Sequence, residues 1–566
     1  MGATKGRTNV RKQRVWRNIF PNPFLFIRSQ ARIGSRFLAS ELLHFFASWY
    51  NSVVMNLSGI LTALGFVVIT VVASAQRINQ EGRILPPLPV ITNSILFDTS
   101  NADAVVSAMQ IFPVTNPWNE DISHRPVAAN SAQMISRIIN DLSSSRRTLR
   151  LFQEMNFVMV PDDQPDLPFT FVDYPDQSDL NGGISPVGLY PIPTNMPVEG
   201  WPSQTGTQTL AQVQIDSLGL GGDRHSIVVQ PGAGLSWESW QALLANSQWQ
   251  AANGALFDLK TNALRPAGWT SGDAAGFPLF PALVRFDEAE RGMVEHACRL
   301  VVKRTLYNNY IYPATHFAAP STNTDTSLPS MGQRLRLKAA YAIPANWSTE
   351  EKAVLLALKK YGAMVADNGN FFSISITPDD RWPANAFNNI STLNITNFEV
   401  IVSTGPTEGP RSPGAPVANA GLNQTVPVNK AIPLNGTVVF SNPAPTILWT
   451  LYSGPASAAF GNAAITNTTV TFSQPGVYTL LLSAADNVHA VSYAAVSFTA
   501  ITGIALNLSH TGTNIVLAWT GGTAPFVVQH TPILPPVAWE NVTTTSVPTF
   551  AVAATNSAGF YRIQGQ

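Results

Sequence analysis

Residues 447–487 read ILWTLYSGPASAAFGNAAITNTTVTFSQPGVYTLLLSAADN. Apolar and polar residues alternate here in short runs, the period-two pattern that a half-buried strand requires. Turn residues such as Ser453–Pro455 interrupt the runs at roughly 8–12-residue spacing, and a single tryptophan, Trp449, is available to fill the space between two sheets. The segment therefore predicts a small β-sandwich, and the rest of the chain is read outward from it.

The chain has 566 residues, enough for three or four domains. Apolar residues make up 45%, charged residues only 12%, and there are 42 prolines and 38 glycines, a balance that favours strands and turns over helical bundles. Formal charge is zero, but it is unevenly spread. Residues 1–54 carry nine basic groups, from Lys5 to Arg36, against one acid, Glu41, which leaves 25 basic and 33 acidic groups, a net −8, beyond residue 75. That remainder offers no electrostatic basis for binding nucleic acid.

MNLSGILTALGFVVITVVASAQ, beginning at Met55, has a short polar start, an apolar run from Ile60 to Val72, and Ala73 and Ala75 flanking Ser74. This is the pattern of a secretory signal peptide, 55–75, with cleavage expected after Ala75. The run is short for a stable membrane span, which takes about 20 residues. Residues 1–54 then form a basic extension ahead of a second possible start. The one cysteine, Cys298, lies in apolar surroundings and reads as a buried structural thiol.

Residues 416–501 resemble a PKD-type β-sandwich of the kind repeated in bacterial secreted proteins. The resemblance is carried by NAGLNQTV, the LW ending at Trp449, SGP at 453–455 and FSQPGVYTLLLSAADN. The W-x-F-G-D-G signature of many such modules is missing, which places the segment in a related subgroup. Residues 502–566, with NIVLAWTGGTAPFVVQHT, WENVTTT and AGFYRIQGQ, resemble the fibronectin-type modules at the C-termini of exported proteins of environmental bacteria. In both modules Trp449, Trp519, Trp539 and Tyr561 read as core. GPTEGPRSPGA, 405–415, is a linker by its glycines and prolines.

Residues 80–404 form the large unit. Strand-like runs are FTFVDY, SIVVQP, GALFDL, ALVRF, RLVVKR, RLRLKAAY and FFSISI, and helices are predicted over 130–153 and 348–362. Ser348 N-caps the second helix, Glu351 completes a capping box and Gly362 ends it. The expected architecture is mainly β: a large β-rich, jelly-roll-like or related sandwich domain with a few helices, followed by two small Ig-like β-sandwiches. The wording of 205–402, including RPAGWTSGDAAGFP, VRFDEAERGMVEHA, MGQRLRLKA and ALKKYGAMVADNG, resembles a family of exported bacterial proteins with no assigned activity, so that likeness supplies no roles.

Nucleophile elbows, H-E-x-x-H, phosphate-binding loops, EF-hand loops and dinucleotide fingerprints are all missing. What remains is a polar series from 223 to 382, in which GWTSGDAAGFPLFPALVRFDE, 268–288, is the densest stretch. Cleavage of a glycosidic bond needs two carboxyl groups about 5–9.5 Å apart. Asp258 and Asp287 face one another if their strands pair, with Asp273 entering from the loop and Trp269 stacking on a sugar. The same residues equally serve as turn caps, or as partners of Arg285 and Arg291. Elimination from a uronic acid would instead use a His or Tyr base, His225, His296 or Tyr312, with arginines against the enolate. Arg224, Arg285, His316 and Arg336 complete the substrate-binding candidates. No cofactor is expected, although His225, His296 and His316 are of a type to share a metal ion. The expected function is secreted polysaccharide processing by a monomer, glycoside hydrolysis ahead of lyase chemistry, with a non-enzymatic glycan-binding or adhesion protein as the alternative.

Overall fold

Alternation in the strands of the large region sets its layering. The computed structural model describes residues 76–217, 222–441, 443–534, 538–554 and 559–565, so the signal segment and the basic extension lie outside the described residues. In FFSISI, Phe372, Ile374 and Ile376 enter the core while Ser373 and Ser375 face the other way. Cys298, Leu300 and Val302 repeat the pattern opposite Arg299, and Leu335 and Leu337 repeat it opposite Arg334 and Arg336. These strands belong to one six-stranded mixed sheet in the order 398–400, 334–337, 363–368, 298–302, 372–376, 149–153. Its parallel pairs are 298–302 with 363–368 and 372–376 with 149–153.

The apolar face of this sheet shares a core with the helix Thr349–Lys360, which buries Ala353, Val354, Leu355, Ala357 and Leu358. Its ends are as the sequence predicts. The Ser348 side chain accepts from Glu351 N–H at 2.9 Å, Glu351 accepts in return from Ser348 N–H at 3.2 Å, and Gly362 leaves the helix at φ +69°. The polar face is unusual in that water does not cover it: Arg299, Arg334, Arg336, Ser373 and Ser375 are all buried. Arg334, pushed down to about 10 by burial, donates to the carbonyls of Pro117, Glu120 and Tyr361. Two further sheets complete the large region. One runs 95–96, 158–159, 226–230, 235–240, 253–258, and the other runs 187–190, 167–171, 248–251, 243–245 over an aromatic core of Phe169, Phe171, Tyr190, Trp237 and Trp249.

Two predicted elements differ. The helix expected over 130–153 spans only Ser131–Asp141, and Leu149–Gln153 is a strand paired in parallel with Phe372–Ile376. The serines at 143–145 offer the backbone competing hydrogen bonds, and Leu149 is worth more in the sheet core than on a helix. The strand expected at ALVRF is a 3₁₀ turn, Phe280–Ala282, one bridge from Val284 to Ile376, and a short helix, Phe286–Glu290. Glu288 accepts from Arg285 N–H at 3.1 Å, a cap that turns the chain into that helix.

The C-terminal third is all β. Strands 424–427, 492–501, 476–485 and 446–453 form one sheet of the PKD-like sandwich and 432–435, 467–472 and 458–460 face them. Trp449 is buried between them with Val470, Phe472, Tyr478, Leu480, Leu482 and Phe498. The last module pairs 505–511, 514–520 and 549–553 against 540–545, 526–531 and 560–564, with Trp519 in its core. Trp539 and Tyr561 are half-buried, the former under Arg562 at 4.4 Å and the latter against His530 at 4.8 Å.

The linker is pinned rather than loose. Arg411 donates to Glu120 at 3.0 Å and to the Thr115 carbonyl at 3.0 Å, and its guanidinium lies 5.2 Å from the Tyr312 ring. Tyr452 of the sandwich accepts from Ile84 N–H at 3.2 Å, and Arg125 donates to the Val488 carbonyl at 3.2 Å. Replacing Trp449 by alanine is expected to cost about 3–5 kcal/mol. The check is hydrogen exchange on the full chain: protection should fall across 446–453 and 476–485 and persist in 298–302.

Candidate functional site

Asp258, Asp273, Asp287, His225, His296 and His316 do not meet in one place. Asp258 ends its strand in solvent and its carboxylate accepts from Lys260 N–H at 2.8 Å, a turn cap. Asp287 and His296 do meet, beside Arg285, around a hollow of only about 30 Å³, too small for a sugar. Asp287 accepts from Arg291 at 2.9 Å, and Glu288 takes Arg285 at 3.0 Å and His296 at 3.0 Å. Burial alone would raise the Glu288 carboxyl, but Arg285 and His296 hold it down at about 2. This is a buried ion-pair hub with its charges matched.

The binding candidates are also occupied. Arg224, at φ +56°, donates to the carbonyls of Ala242, Val213 and Gln214. Arg336 is held by Glu399 at 2.7 Å and by the carbonyls of Ile122, Ser123 and Arg125. His316 is half-buried, stacked on Phe317, with Nδ1 at 2.7 Å from the Ala274 carbonyl. Trp269 is half-buried with the Arg265 guanidinium 5.4 Å from its ring. The three histidines sit in different surroundings, and among the described residues no group of three or more His, Cys, Asp or Glu is placed to hold a metal ion. Burial pushes the Cys298 thiol up, which suits an inert core residue.

Asp273 and His225 lead elsewhere, to the polar face of the six-stranded sheet. Asp273 is fully buried and grips Arg299: both carboxylate oxygens accept from Arg299 Nε, at 3.1 and 3.0 Å, and Nη2 donates to Oδ1 as well. That pair pulls the GWTSGD loop onto the sheet. Gly272 next to it is a close-approach glycine, since a Cβ there would stand 2.8 Å from Leu279 and 3.2 Å from the His225 ring. Its carbonyl lies 2.8 Å from His225 Nε2, and Glu199 lies 2.8 Å from Nδ1. Both partners only accept, so both ring nitrogens carry protons and His225 is an imidazolium. Burial opposes that charge, but Glu199 raises the imidazole to about 9, and His225 in turn holds Glu199 low despite its burial.

Above this layer opens a cleft of about 180 Å³ whose walls include Phe152, Glu154, Glu199, Asp223, Asp367 and Phe371. Glu154 continues the strand 149–153, donating its N–H to the Ile376 carbonyl at 3.3 Å, and its Oε1 accepts from the Ser375 hydroxyl at 2.7 Å. Arg299 donates to the same hydroxyl at 2.7 Å, so Asp273, Arg299, Ser375 and Glu154 form one chain of contacts. Burial, reinforced by the charge of Glu199, pushes Glu154 up to about 7. On the far side of Arg299, burial and the neighbouring Asp273 raise Asp367 to about 6. Phe152 and Phe371 pack edge to face at 5.1 Å along one wall. The arrangement supplies two carboxyl groups tuned to exchange protons near neutrality, flanking one space with an apolar side.

Glu154, Glu199 and Ser373 escaped the sequence reading, and Asp367 entered it only as part of ALKKYGAMVADNG. Glu154 closes a strand that reads as the tail of a helix, and Glu199 lies in the proline-rich NMPVEGW. The usable signal was FFSISI: small hydroxyl residues on the second face of a strand mark a polar layer that something covers.

No family model and no curated protein matches the chain. Solved structures similar to part of it include the PKD domain of human KIAA0319, at 18% identity over 18% of this chain and 91% of that one, with a TM-score of 0.14. The Ig1 and Ig2 domains of DIP-gamma are similar at 8% identity, 26% and 95% coverage and a TM-score of 0.13. The fibronectin(III)-like modules of Clostridium thermocellum CbhA are similar at 13% identity, 26% and 84% coverage and a TM-score of 0.15. No helix among the described residues is long and apolar enough to cross a membrane.

Asp273→Ala leaves Arg299 buried without its counter-charge and is expected to cost about 3–5 kcal/mol, whereas Asp258→Ala should stay within about 0.5 kcal/mol. Urea unfolding of the two variants measures the contrast.

Proposed function

We propose that the chain is a secreted bacterial polysaccharide-processing protein that cleaves glycosidic bonds in this cleft. The observation that carries the reading is the pairing of Glu154, held protonated up to about 7, with Asp367, held to about 6, on opposite sides of one Phe-walled space. Glu154 is the general acid that protonates the departing oxygen, and Asp367 is the base that takes a proton from water. Across the sheet the strands 298–302 and 372–376 stand between the strand of Asp367 and that of Glu154. The register sets Asp367 in line with Val301, Ser373 and Arg150, four residues before Glu154 along the edge strand, so the two backbones are roughly 19 Å apart and only the side chains reach toward one space.

Arg299 and His225 serve as fixed positive charges beneath the carboxyls, and His225 holds Glu199 ionised. The lyase alternative is less well supported: both nitrogens of His225 and of His296 are engaged, and burial raises Tyr312 beneath Arg411. Export follows from the signal pattern at 55–75 and from the PKD-like and fibronectin-like modules, an argument by architecture.

The test is a panel of polysaccharides followed by reducing ends and by ultraviolet absorbance of unsaturated products. Reducing ends without absorbance are expected, and absorbance would favour the lyase. Glu154→Gln and Asp367→Asn should each lower kcat by about 10²–10⁴-fold. The pH profile should be a narrow bell: activity rises through about 6 as Asp367 loses its proton and falls through about 7 as Glu154 loses its own. Retention of the protein on insoluble glycan with neither product signal would return the chain to the binding class.

A further inference from the structure

We propose that the cleft selects sugars by charge, taking an uncharged or amino-bearing ring and rejecting a uronate. The proposal rests on the reading of this cleft as a glycan site and adds to it a substrate class. It follows from which charges are already matched. Arg299 is committed to Asp273 through both carboxylate oxygens, and His225 is committed to Glu199. Three further carboxyl groups then face the space, and the one cation paired with any of them is the already committed Arg299. Glu154 has only the Ser375 hydroxyl on Oε1, the guanidinium beside Asp367 is Arg299 at 3.9 Å, and Asp223 is exposed at the mouth.

A second, separate feature points to a ligand. The Ser373 hydroxyl lines the floor of the cleft, its residue is only 3% exposed, and it has no hydrogen-bond partner among the described residues. A buried hydroxyl left open toward a cavity is matched by a hydroxyl or amino group entering from outside. The nearby cations do not change the balance inside. Arg146 lies 4.3 Å over the Phe371 ring and donates to the Asn370 carbonyl at 3.2 Å, and Lys303 is bonded to the Asn370 side chain in solvent. Arg150, paired in register with Ser373, donates to the Ser145 carbonyl at 3.3 Å, and none of the three cations lines the cleft. A carboxylate on the bound ring would meet the charges of Asp367 and Asp223, a penalty of roughly tenfold or more in a partly buried site. An ammonium at the same place would be drawn in.

The experiment measures binding of matched tetrasaccharides of glucosamine, glucose and glucuronate to the full chain by calorimetry, at low and high salt. Affinity should fall in that order, with the uronate at least about tenfold weaker than the neutral sugar, and the gap should narrow in high salt. Asp223→Asn, an exposed change that leaves the fold intact, should narrow it by about threefold. Equal or tighter binding of the uronate, a gap that ignores salt, or no binding of any of the three overturns the proposal. The order is read without turnover, so charge selection without cleavage would sink the hydrolase reading alone. Cleavage that ignores charge would sink only the selection.

Discussion

One buried ion pair organises the polar layer of the large region. Arg299 stands on a strand whose other face is pure core, so its guanidinium emerges into a layer that water does not reach. Such a charge is tolerable only if a carboxylate meets it with good geometry. Asp273 does so, and because it sits in a loop rather than on the sheet, satisfying the arginine also fastens the loop. The fastened loop presents the Gly272 carbonyl to His225, His225 fixes Glu199, and the charge of Glu199 sets the proton affinity of Glu154. Removing the first link would undo a sequence of placements that no later contact can restore.

The sheet that carries this layer departs from the usual division of a strand into a wet face and a dry one. Its second face is polar and buried together, built from arginines and serines with their donors matched to carbonyls and carboxylates. A polar layer of this kind is costly to assemble and specific once assembled, because each member left unpaired would be a penalty. The three members that keep spare capacity, the Ser373 hydroxyl and the raised carboxyls of Glu154 and Asp367, all line the cleft.

How much of this could be read beforehand depended on range. The cap of Ser348 and Glu351 is a matter of three residues and was legible, as was the sandwich around Trp449, where strand alternation and turn spacing are repeated several times. The strand expected at ALVRF failed because a single carboxylate, Glu288, caps the chain into a helix there. The helix expected to run to 153 failed because parallel pairing with 372–376 is decided more than two hundred residues away. The site suffered most. Asp258, Asp273 and Asp287 look alike in sequence, yet one caps a turn in water, one neutralises a buried arginine and one belongs to a separate ion-pair hub. The residues that ended up tuned, Glu154 and Asp367, owe their character to neighbours on other strands.

The pinned linker has a mechanical meaning. Glu120, buried and receiving Arg125, Arg411 and Thr404, joins the start of the large region to the segment before the PKD-like sandwich. Its carboxyl stays low in spite of burial because the guanidiniums of Arg334, Arg411 and Arg125 surround it. A slack tether absorbs tension by straightening, and its two ends drift independently in the meantime. Here a pull on the sandwich arrives first at a buried carboxylate in the body of the large region.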